Sequence, residues 1–385
     1  MSLQFITGNS GNGKTKYLFN RIVKEAKANP RDNYLVIVPE QFTMQTQRQL
    51  VDLSENKAIM NIDVLSFKRL AYRVFDELGI TNLTVLEETG KNLVLRKLAA
   101  QEADKLGVIG RNLNRIGYIS EVKSLLSELV QYNISPEELG RYIASGMLSD
   151  TLSDKLKDVL VLYEAFEKFM QDKYITAEEI LNVLSNVAEE SAILRNSVIA
   201  FDEFTGFTPI QNQLIKKLFV ISKKIYVTLT IDCREDIFKS RGMQELFDMP
   251  KRTVKSLTEM AAFYGIEVDE PIILDKNYRL AENEELSFME QQLFRKRRCS
   301  FEKAPKYIHI DCLRDPKQEL TKIARRINEL VRNENLRYRD IAIVTGDVNI
   351  YAGYVREIFD KYNIPYFIDA TQEILFHPFI EFIRS

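Results

Sequence analysis

The chain has 385 residues, with 53 Lys and Arg against 55 Asp and Glu and a formal net charge of −2. At about 150 residues per domain, this length predicts two or three domains. The hydrophobic content of 45% is ordinary for a globular protein. The near-zero charge excludes a histone-like basic protein but leaves a localised nucleic-acid site open.

Cysteine and histidine usage excludes two further classes. Cys233, Cys299 and Cys312 are too few and too scattered for a disulfide framework, and His309 and His377 do not support a His-based metal site. The sequence contains neither an apolar run of about 18 residues, which a membrane helix needs, nor a secretory leader. These features predict a cytoplasmic protein with no membrane partner.

Short apolar runs alternate with helical patterns at the start of the chain. Strands are predicted at 3–7, 34–38 and 62–65, and helices at 15–28, 43–53 and 66–78. Apolar strands separated by helices indicate a parallel sheet that is covered on both faces. The sequence therefore predicts an α/β fold.

The pattern changes to helices almost alone between residues 86 and 190. Helices are predicted at roughly 86–106, 117–131, 136–145, 151–173 and 177–190. Capping boxes at Ser135–Glu138 and Thr176–Glu179 mark two of the helix starts. This stretch is predicted to be an all-helical insertion.

The alternating pattern then returns. Strands are predicted at 198–201, 224–231 and 271–274, with helices from Thr208 and at 281–294. After the basic run 295–298, a second series has predicted strands at 306–312, 340–345 and 365–368 and helices at 316–333 and 349–362. Two strand–helix units cannot close a sheet well, so we expect an incomplete domain and a chain that is a piece of a longer protein.

A phosphate-binding loop lies between the first strand and the first helix. Its residues are Gly8, Asn9, Ser10, Gly11, Asn12, Gly13, Lys14 and Thr15, which match G-x-x-x-x-G-K-[ST]. Glycines let backbone N–H groups turn toward phosphate oxygens, and the helix presents its positive end to the same anion. Lys14 is expected at the β- and γ-phosphates of ATP, and the Thr15 hydroxyl at Mg²⁺.

An acidic pair follows the strand predicted at 198–201. Asp202 is expected to act on the hydration shell of Mg²⁺, and Glu203 to polarise the attacking water. The alternative is that the pair is only a helix cap and a solvated neighbour.

These motifs together resemble superfamily 1 helicases of the UvrD/RecB type. Residues 63–71 are similar to the segment of that family that contacts single-stranded DNA, and 274–279 resemble its L-x-x-N-Y-R motif, whose arginine, here Arg279, approaches the γ-phosphate. The alternative for Arg279 is a structural salt bridge. The resemblance implies a RecA-like P-loop domain at 1–85 and 191–295, the helical insertion at 86–190, and an incomplete second RecA-like domain at 296–385.

Further stretches narrow the resemblance to the AddB family of helicase–nuclease subunits. They are 38–43, which contains Pro-Glu-Gln, 204–211, which contains Phe-Thr-Gly-Phe-Thr-Pro, and 338–341, 364–369 and 377–378 near the end. The likeness runs over essentially the whole chain. These signatures are more specific than the phosphate loop.

The AddB resemblance implies a subunit that acts with an AddA-type helicase partner in repair of double-strand breaks by homologous recombination. In this family the partner is the motor, and AddB is associated with Chi recognition in single-stranded DNA that is unwound from double-stranded DNA. A nuclease domain with an iron–sulphur cluster is implied only beyond residue 385. The three cysteines of this chain match none of the cluster ligands.

The sequence departs from a helicase motor at two places. Residues 229–233 lack the Gly-Asp-x-x-Gln motif that follows the third core strand, and no adenine-reading glutamine segment precedes the phosphate loop. We therefore expect ATP binding without translocation. The resemblance places Glu203 where many AddB proteins have glycine, which keeps residual hydrolysis open.

The DNA contacts that the resemblance implies fall in two segments. They are Gln41, Phe42 and Thr43 in the first segment and Ser66, Phe67 and Arg69 in the second. Phe67 would stack on a base, and the hydroxyls would hold phosphate. The alternatives are a core position for Phe67 and a solvated helix position for Arg69. The basic run 295–298 could contact DNA or the partner subunit, and its alternative is a solvated helix end.

Two other functions remain open at this point. One is an active superfamily 1 DNA helicase motor, for which Lys14 would be required. The other is a P-loop kinase for a nucleotide or small molecule, although the sequence has no arginine-rich lid segment.

Overall fold

The computed structural model describes residues 1–81, 84–108, 110, 117–146, 148–170, 174–295, 299–370 and 377–384. Contacts within the chain divide it into two units. The first unit is Met1–Ser287 with Gln291–Arg297, and the second is Phe288–Glu290 with Arg298–Ser385. None of the described helices combines the length and the apolar character that a membrane-spanning helix requires.

The first unit contains a parallel sheet and a separate pair of short strands. In chain order the strands are β1 (Ser2–Gly8), β2 (Tyr34–Ile37), β3 (Ile62–Leu65), β4 (Val85–Leu86), β5 (Ile175–Thr176), β6 (Val198–Phe201), β7 (Lys224–Thr230), β8 (Glu267–Val268) and β9 (Ile272–Leu274). The central sheet runs β3–β2–β6–β7–β1, and both β8 and β9 pair with the other edge of β1. Every pairing is parallel, so the α/β prediction is confirmed.

Helices cover both faces of this sheet. The helices of the first unit are α1 (Lys14–Ala28), α2 (Thr43–Leu53), α3 (Phe67–Leu78), α4 (Glu88–Gln101), α5 (Tyr118–Gln131), α6 (Pro136–Ala144), α7 (Asp150–Met170), α8 (Ile180–Val187), α9 (Pro209–Ile221), α10 (Asp248–Phe263) and α11 (Glu284–Gln292). Helices α1 and α2 pack on one face, and α3, α8, α9 and α10 on the other. Helix α10 lies in a stretch for which the sequence pattern predicts no element.

The helical insertion has its own core. Apolar side chains of α4, α5, α6 and α7 form one cluster, which is separate from the two clusters on the sheet. Helix α8 packs with the sheet core through Ile180 and Leu184, although the sequence pattern groups it with the insertion. The pairing of β4 with β5 joins the beginning and the end of the insertion. Both predicted capping boxes are formed, at Ser135 and at Thr176.

The second unit contains α12 (Pro316–Asn333), α13 (Val348–Lys361) and α14 (Pro378–Arg384). Helices α12 and α13 pack against each other, which confirms the two helices predicted there. The strands predicted at 306–312, 340–345 and 365–368 are wrong, since residues 299–370 hold no paired strand. Val344 is 93% exposed and Phe367 88% exposed, and extended backbone without a neighbouring strand forms no ladder.

Candidate nucleoside triphosphate site

The phosphate-binding loop leaves the end of β1 and enters α1. Gly11 has a φ of +89°, and a Cβ atom there would lie 2.8 Å from the Cβ of Arg279. A Cβ at Gly8 would lie 2.5 Å from the carbonyl oxygen of Leu274. The glycines are therefore required both by the left-handed backbone and by the close approach of the segment after β9.

Two asparagines fasten the loop to neighbouring strand ends. The Asn9 side-chain oxygen accepts the Cys233 backbone N–H at 2.9 Å, and the Asn12 amide donates to the Leu274 carbonyl at 2.6 Å. Both asparagines are buried. Their side chains hold the loop in place, which leaves backbone N–H groups, Lys14 and Thr15 as the groups for a phosphate.

Residues 274–279 lie along the outer side of the loop. The Asn277 amide donates to the Ser10 carbonyl at 2.9 Å, and the Tyr278 backbone N–H donates to the Gly11 carbonyl at 3.0 Å. The Arg279 guanidinium lies 3.5 Å from the Ser10 hydroxyl. The structure thus places Arg279 at the loop, and its approach to the γ-phosphate stays a prediction.

Lys14 lies over the loop at the beginning of α1. Its ammonium group donates to the carbonyl oxygens of Gly8 at 3.1 Å and Asn9 at 3.0 Å. A cation held here by backbone carbonyls is a compact, movable charge on a flexible stem. It can exchange those carbonyls for a more negative phosphate oxygen.

The acidic pair meets the loop at Thr15. The Thr15 hydroxyl lies 3.3 Å from Asp202 Oδ1 and 3.3 Å from Glu203 Oε1. Asp202 follows β6, which lies two strands from β1 in the sheet. Residues almost 190 positions apart in sequence are therefore neighbours, because the carboxyl ends of parallel strands share one edge.

The two oxygens of the buried Asp202 carboxylate differ. Oδ1 accepts the Thr228 hydroxyl at 2.5 Å, whereas Oδ2 is buried and has no hydrogen-bond partner among the described residues. Burial raises the pKa of Asp202 above its ordinary value, against the opposing effect of the Thr228 hydrogen bond. The buried Asp202 carboxylate beside the Thr15 hydroxyl is a donor set that suits Mg²⁺.

Glu203 has a strained backbone. Its φ is +63°, which is uncommon for a residue other than glycine. This conformation turns the Glu203 carboxylate toward Thr15 and the cleft. Strain of this kind often accompanies functional sites.

A cleft of about 800 Å³ opens beside the loop. Its walls include the loop residues, the acidic pair, the side of α2 and Tyr278 with Arg279. Tyr278 is 65% exposed, and a Cβ at Gly13 would lie 3.5 Å from its ring. The motif 274–279 contains Tyr278, but the sequence resemblance assigns a role only to its arginine.

The two segments predicted to contact DNA meet at Glu40. Ser66 caps α3, and its hydroxyl donates to the Glu40 carboxylate. Arg69 pairs with the same carboxylate at 3.1 Å, and the buried Thr43 hydroxyl donates to the Glu40 carbonyl at 3.0 Å. Gln41 is exposed beside them. Glu40 belongs to the Pro-Glu-Gln signature, but the sequence does not predict its contacts, because they join positions far apart in the chain.

Phe67 lies in the core. It is 7% exposed and packs with Phe201, Phe204 and Phe207, at ring-centroid distances of 5.6 to 6.3 Å. Phe42 is partly buried against the apolar cluster that the sheet forms with α1 and α2. The stacking role predicted for Phe67 does not fit this position, since a buried ring is not presented to a passing strand. The structure matches the alternative that Phe67 is a core residue.

A buried ion cluster follows β7. Asp232 is paired with Arg234 at 2.6 Å and with Arg295 at 2.9 Å. Burial alone would raise the pKa of Asp232, but the two guanidinium groups lower it. Arg295, the first residue of the predicted basic run, is thus part of the fold, and the rest of that run, 296–298, lies outside the described residues.

Comparison with known proteins points to one family. The family model described as ADDB, N-terminal, matches residues 5–290. Relatives named as subunits of an ATP-dependent helicase/deoxyribonuclease are similar over the whole chain, with 38% identity in Lachnoclostridium phytofermentans, 33% in Clostridioides difficile and 32% in Listeria monocytogenes. The chain spans about a third of the length of these relatives, 34% in the first two and 33% in the third.

Proposed function

Because this chain belongs to the AddB family, whose N-terminal region it matches, we propose that it is the helicase-like region of the AddB subunit of an ATP-dependent helicase/deoxyribonuclease. It binds ATP with Mg²⁺ and contacts single-stranded DNA. The complex that contains it acts in double-strand break repair by homologous recombination. An AddA-type subunit is the motor partner, and the iron–sulphur nuclease region lies outside residues 1–385.

The observation that carries the nucleotide-binding proposal is the convergence of Lys14, Thr15 and Asp202. The ammonium and hydroxyl stand at the start of α1, and Oδ1 of the buried Asp202 lies 3.3 Å from the Thr15 hydroxyl. Thr15 and Asp202 would hold Mg²⁺, which neutralises charge on the phosphates when bound. The loop N–H groups and Lys14 would hold the phosphates, and Arg279 would approach the γ-phosphate.

Weak or absent turnover is part of the proposal. Glu203 would orient a water for slow hydrolysis. No glutamine of a Gly-Asp-x-x-Gln motif follows the end of β7. Asp232, which lies there, forms ion pairs with Arg234 and Arg295. This arrangement supports nucleotide binding that is not coupled to movement along DNA.

The DNA contacts proposed here are the exposed side chains of Gln41 and Arg69. They lie together around Glu40 at the beginning of α2 and α3. A side-chain amide and a guanidinium are groups that bind phosphate. Chi recognition in the AddB complex would use this surface. The buried Thr43, Ser66 and Phe67 and the partly buried Phe42 are left out of it.

Replacing Lys14 tests nucleotide binding directly. We expect Lys14→Ala to weaken ATP binding in the presence of Mg²⁺ by at least about tenfold, because hydrogen bonds from a charged donor contribute about 1.5–3 kcal/mol. The measurement is isothermal titration calorimetry on the whole chain. Lys24→Ala is the matched control, since Lys24 is exposed further along the same helix. Equal affinity in all three proteins would refute the proposed site.

ATP hydrolysis separates this function from the two alternatives. We expect the rate of phosphate release to stay unchanged when single-stranded DNA is added, because no glutamine that senses the γ-phosphate and couples ATP to DNA movement follows β7. Stimulation by DNA that Lys14→Ala abolishes would instead support a helicase motor. Transfer of phosphate to a nucleoside monophosphate would support a kinase.

A further inference from the structure

The buried carboxylate of Asp202 directly follows the end of β6. Its neighbour is Thr228 on β7. The register pairs Phe201 with Val227, so the next residues on the two parallel strands, Asp202 and Thr228, lie side by side. Both residues are buried.

The hydrogen bond from Thr228 gives the two carboxylate oxygens of Asp202 different surroundings. Its hydroxyl donates to Oδ1 at 2.5 Å, and Thr15 also approaches Oδ1, at 3.3 Å. Oδ2 is left buried and without a hydrogen bond among the described residues. An unpartnered buried oxygen costs free energy, so something must hold the carboxylate in this orientation.

The Thr228 side chain is well suited to that task. Threonine is branched at Cβ and therefore has restricted χ1 freedom in a strand. The strand that carries it is central in the sheet and pairs with both β6 and β1. The donor hydroxyl is thus fixed by the backbone of the sheet and does not depend on a mobile loop.

We propose that Thr228 is a positioning residue for the metal site: it fixes the Asp202 carboxylate beside the Thr15 hydroxyl, where the nucleotide-bound cation would lie. This inference rests on the proposed nucleotide function and extends it to a residue outside the recognised motifs. Thr228 lines the cleft beside Asp202. Its effect passes through the orientation of Asp202.

The test compares three forms of the whole chain by calorimetry with ATP, in excess Mg²⁺ and in EDTA. Thr228→Val keeps the branched shape and removes the hydroxyl. We expect its affinity in Mg²⁺ to fall about tenfold, as for loss of a hydrogen bond to a charged group, while its affinity in EDTA equals that of the wild type. Thr228→Ser keeps the hydroxyl and should restore most of the Mg²⁺ effect.

The outcomes distinguish this inference from the proposed function. Equal affinity of Thr228→Val and wild type in Mg²⁺ would overturn the role of Thr228 alone. Equal losses in Mg²⁺ and in EDTA would also overturn it, since they indicate a general structural role. A wild-type chain that binds no ATP in Mg²⁺ would overturn both. If Thr228→Val does not fold, Thr228→Ala is measured in its place, with the same expected results.

Discussion

At the scale of residues, local motifs predict the nucleotide site better than the DNA surface. Gly8 to Thr15 form a continuous segment, so its spacing alone predicts where Lys14 and Thr15 stand. The position of Asp202 follows from the rule that parallel strands end at one edge. Glu40 and Thr228 act only through partners that folding brings to them. Local sequence patterns, including the Pro-Glu-Gln signature that contains Glu40, do not predict these contacts.

Arg69 provides a test of the DNA surface. Its ion pair with Glu40 is more than half exposed, so breaking it should change stability little. We expect Arg69→Ala to weaken binding of single-stranded DNA and to reduce the slope of log affinity against log salt by about 1. Fluorescence anisotropy at several salt concentrations measures both quantities.

The matched control for Arg69 is Arg141→Ala. Arg141 lies on α6 of the helical insertion and is also exposed, with a weak ion pair to Glu138 at 3.8 Å. This variant should bind DNA with the affinity and salt slope of the wild type. If the two variants behave alike, Arg69 has no direct contact with the DNA.

At the scale of elements, prediction succeeds where an element carries its own pattern. Strands β1, β2 and β6 are continuous apolar runs, and the sequence predicts them to within about a residue. The strands predicted in the second unit have similar apolar runs but no paired neighbour among the described residues. A strand depends on hydrogen bonds to another segment, whereas helices α12 and α13 form their own.

The insertion is held by a buried ion cluster as well as by apolar packing. Lys91 on α4 is buried and pairs with Glu178 at 2.7 Å and with Glu88 at 2.9 Å. Burial alone would lower the pKa of Lys91, but its hydrogen bonds with Glu178 and Glu88 raise it. Lys91 therefore stays charged and joins the first insertion helix to the segment before α8.

Removing the Lys91 charge should destabilise the insertion. Lys91→Met leaves the Glu178 carboxylate without its cation, and breaking a buried pair from one side costs about 3–5 kcal/mol. We expect a loss of that size in urea unfolding followed by circular dichroism. Lys155→Met, at an exposed position of α7, should leave stability unchanged. Adding Glu178→Gln to Lys91→Met should recover part of the loss, and no recovery would contradict the ion-pair explanation.

At the scale of the whole molecule, the nucleotide site belongs to a single unit. The loop, the acidic pair, Thr228 and residues 274–279 all lie within Met1–Ser287. The second unit contributes none of these contacts. Nucleotide binding by this chain should therefore depend on the first unit, whose family match covers residues 5–290.

The most direct test of the central claim uses the absence of tryptophan from the sequence. Tyr278→Trp places a single indole beside Gly13, at the wall of the cleft. On titration with ATP and Mg²⁺, its fluorescence should change to a saturating value, and the additional substitution Lys14→Ala should abolish that change. A fluorescence that stays constant while calorimetry detects ATP binding would place the nucleotide elsewhere and contradict the account.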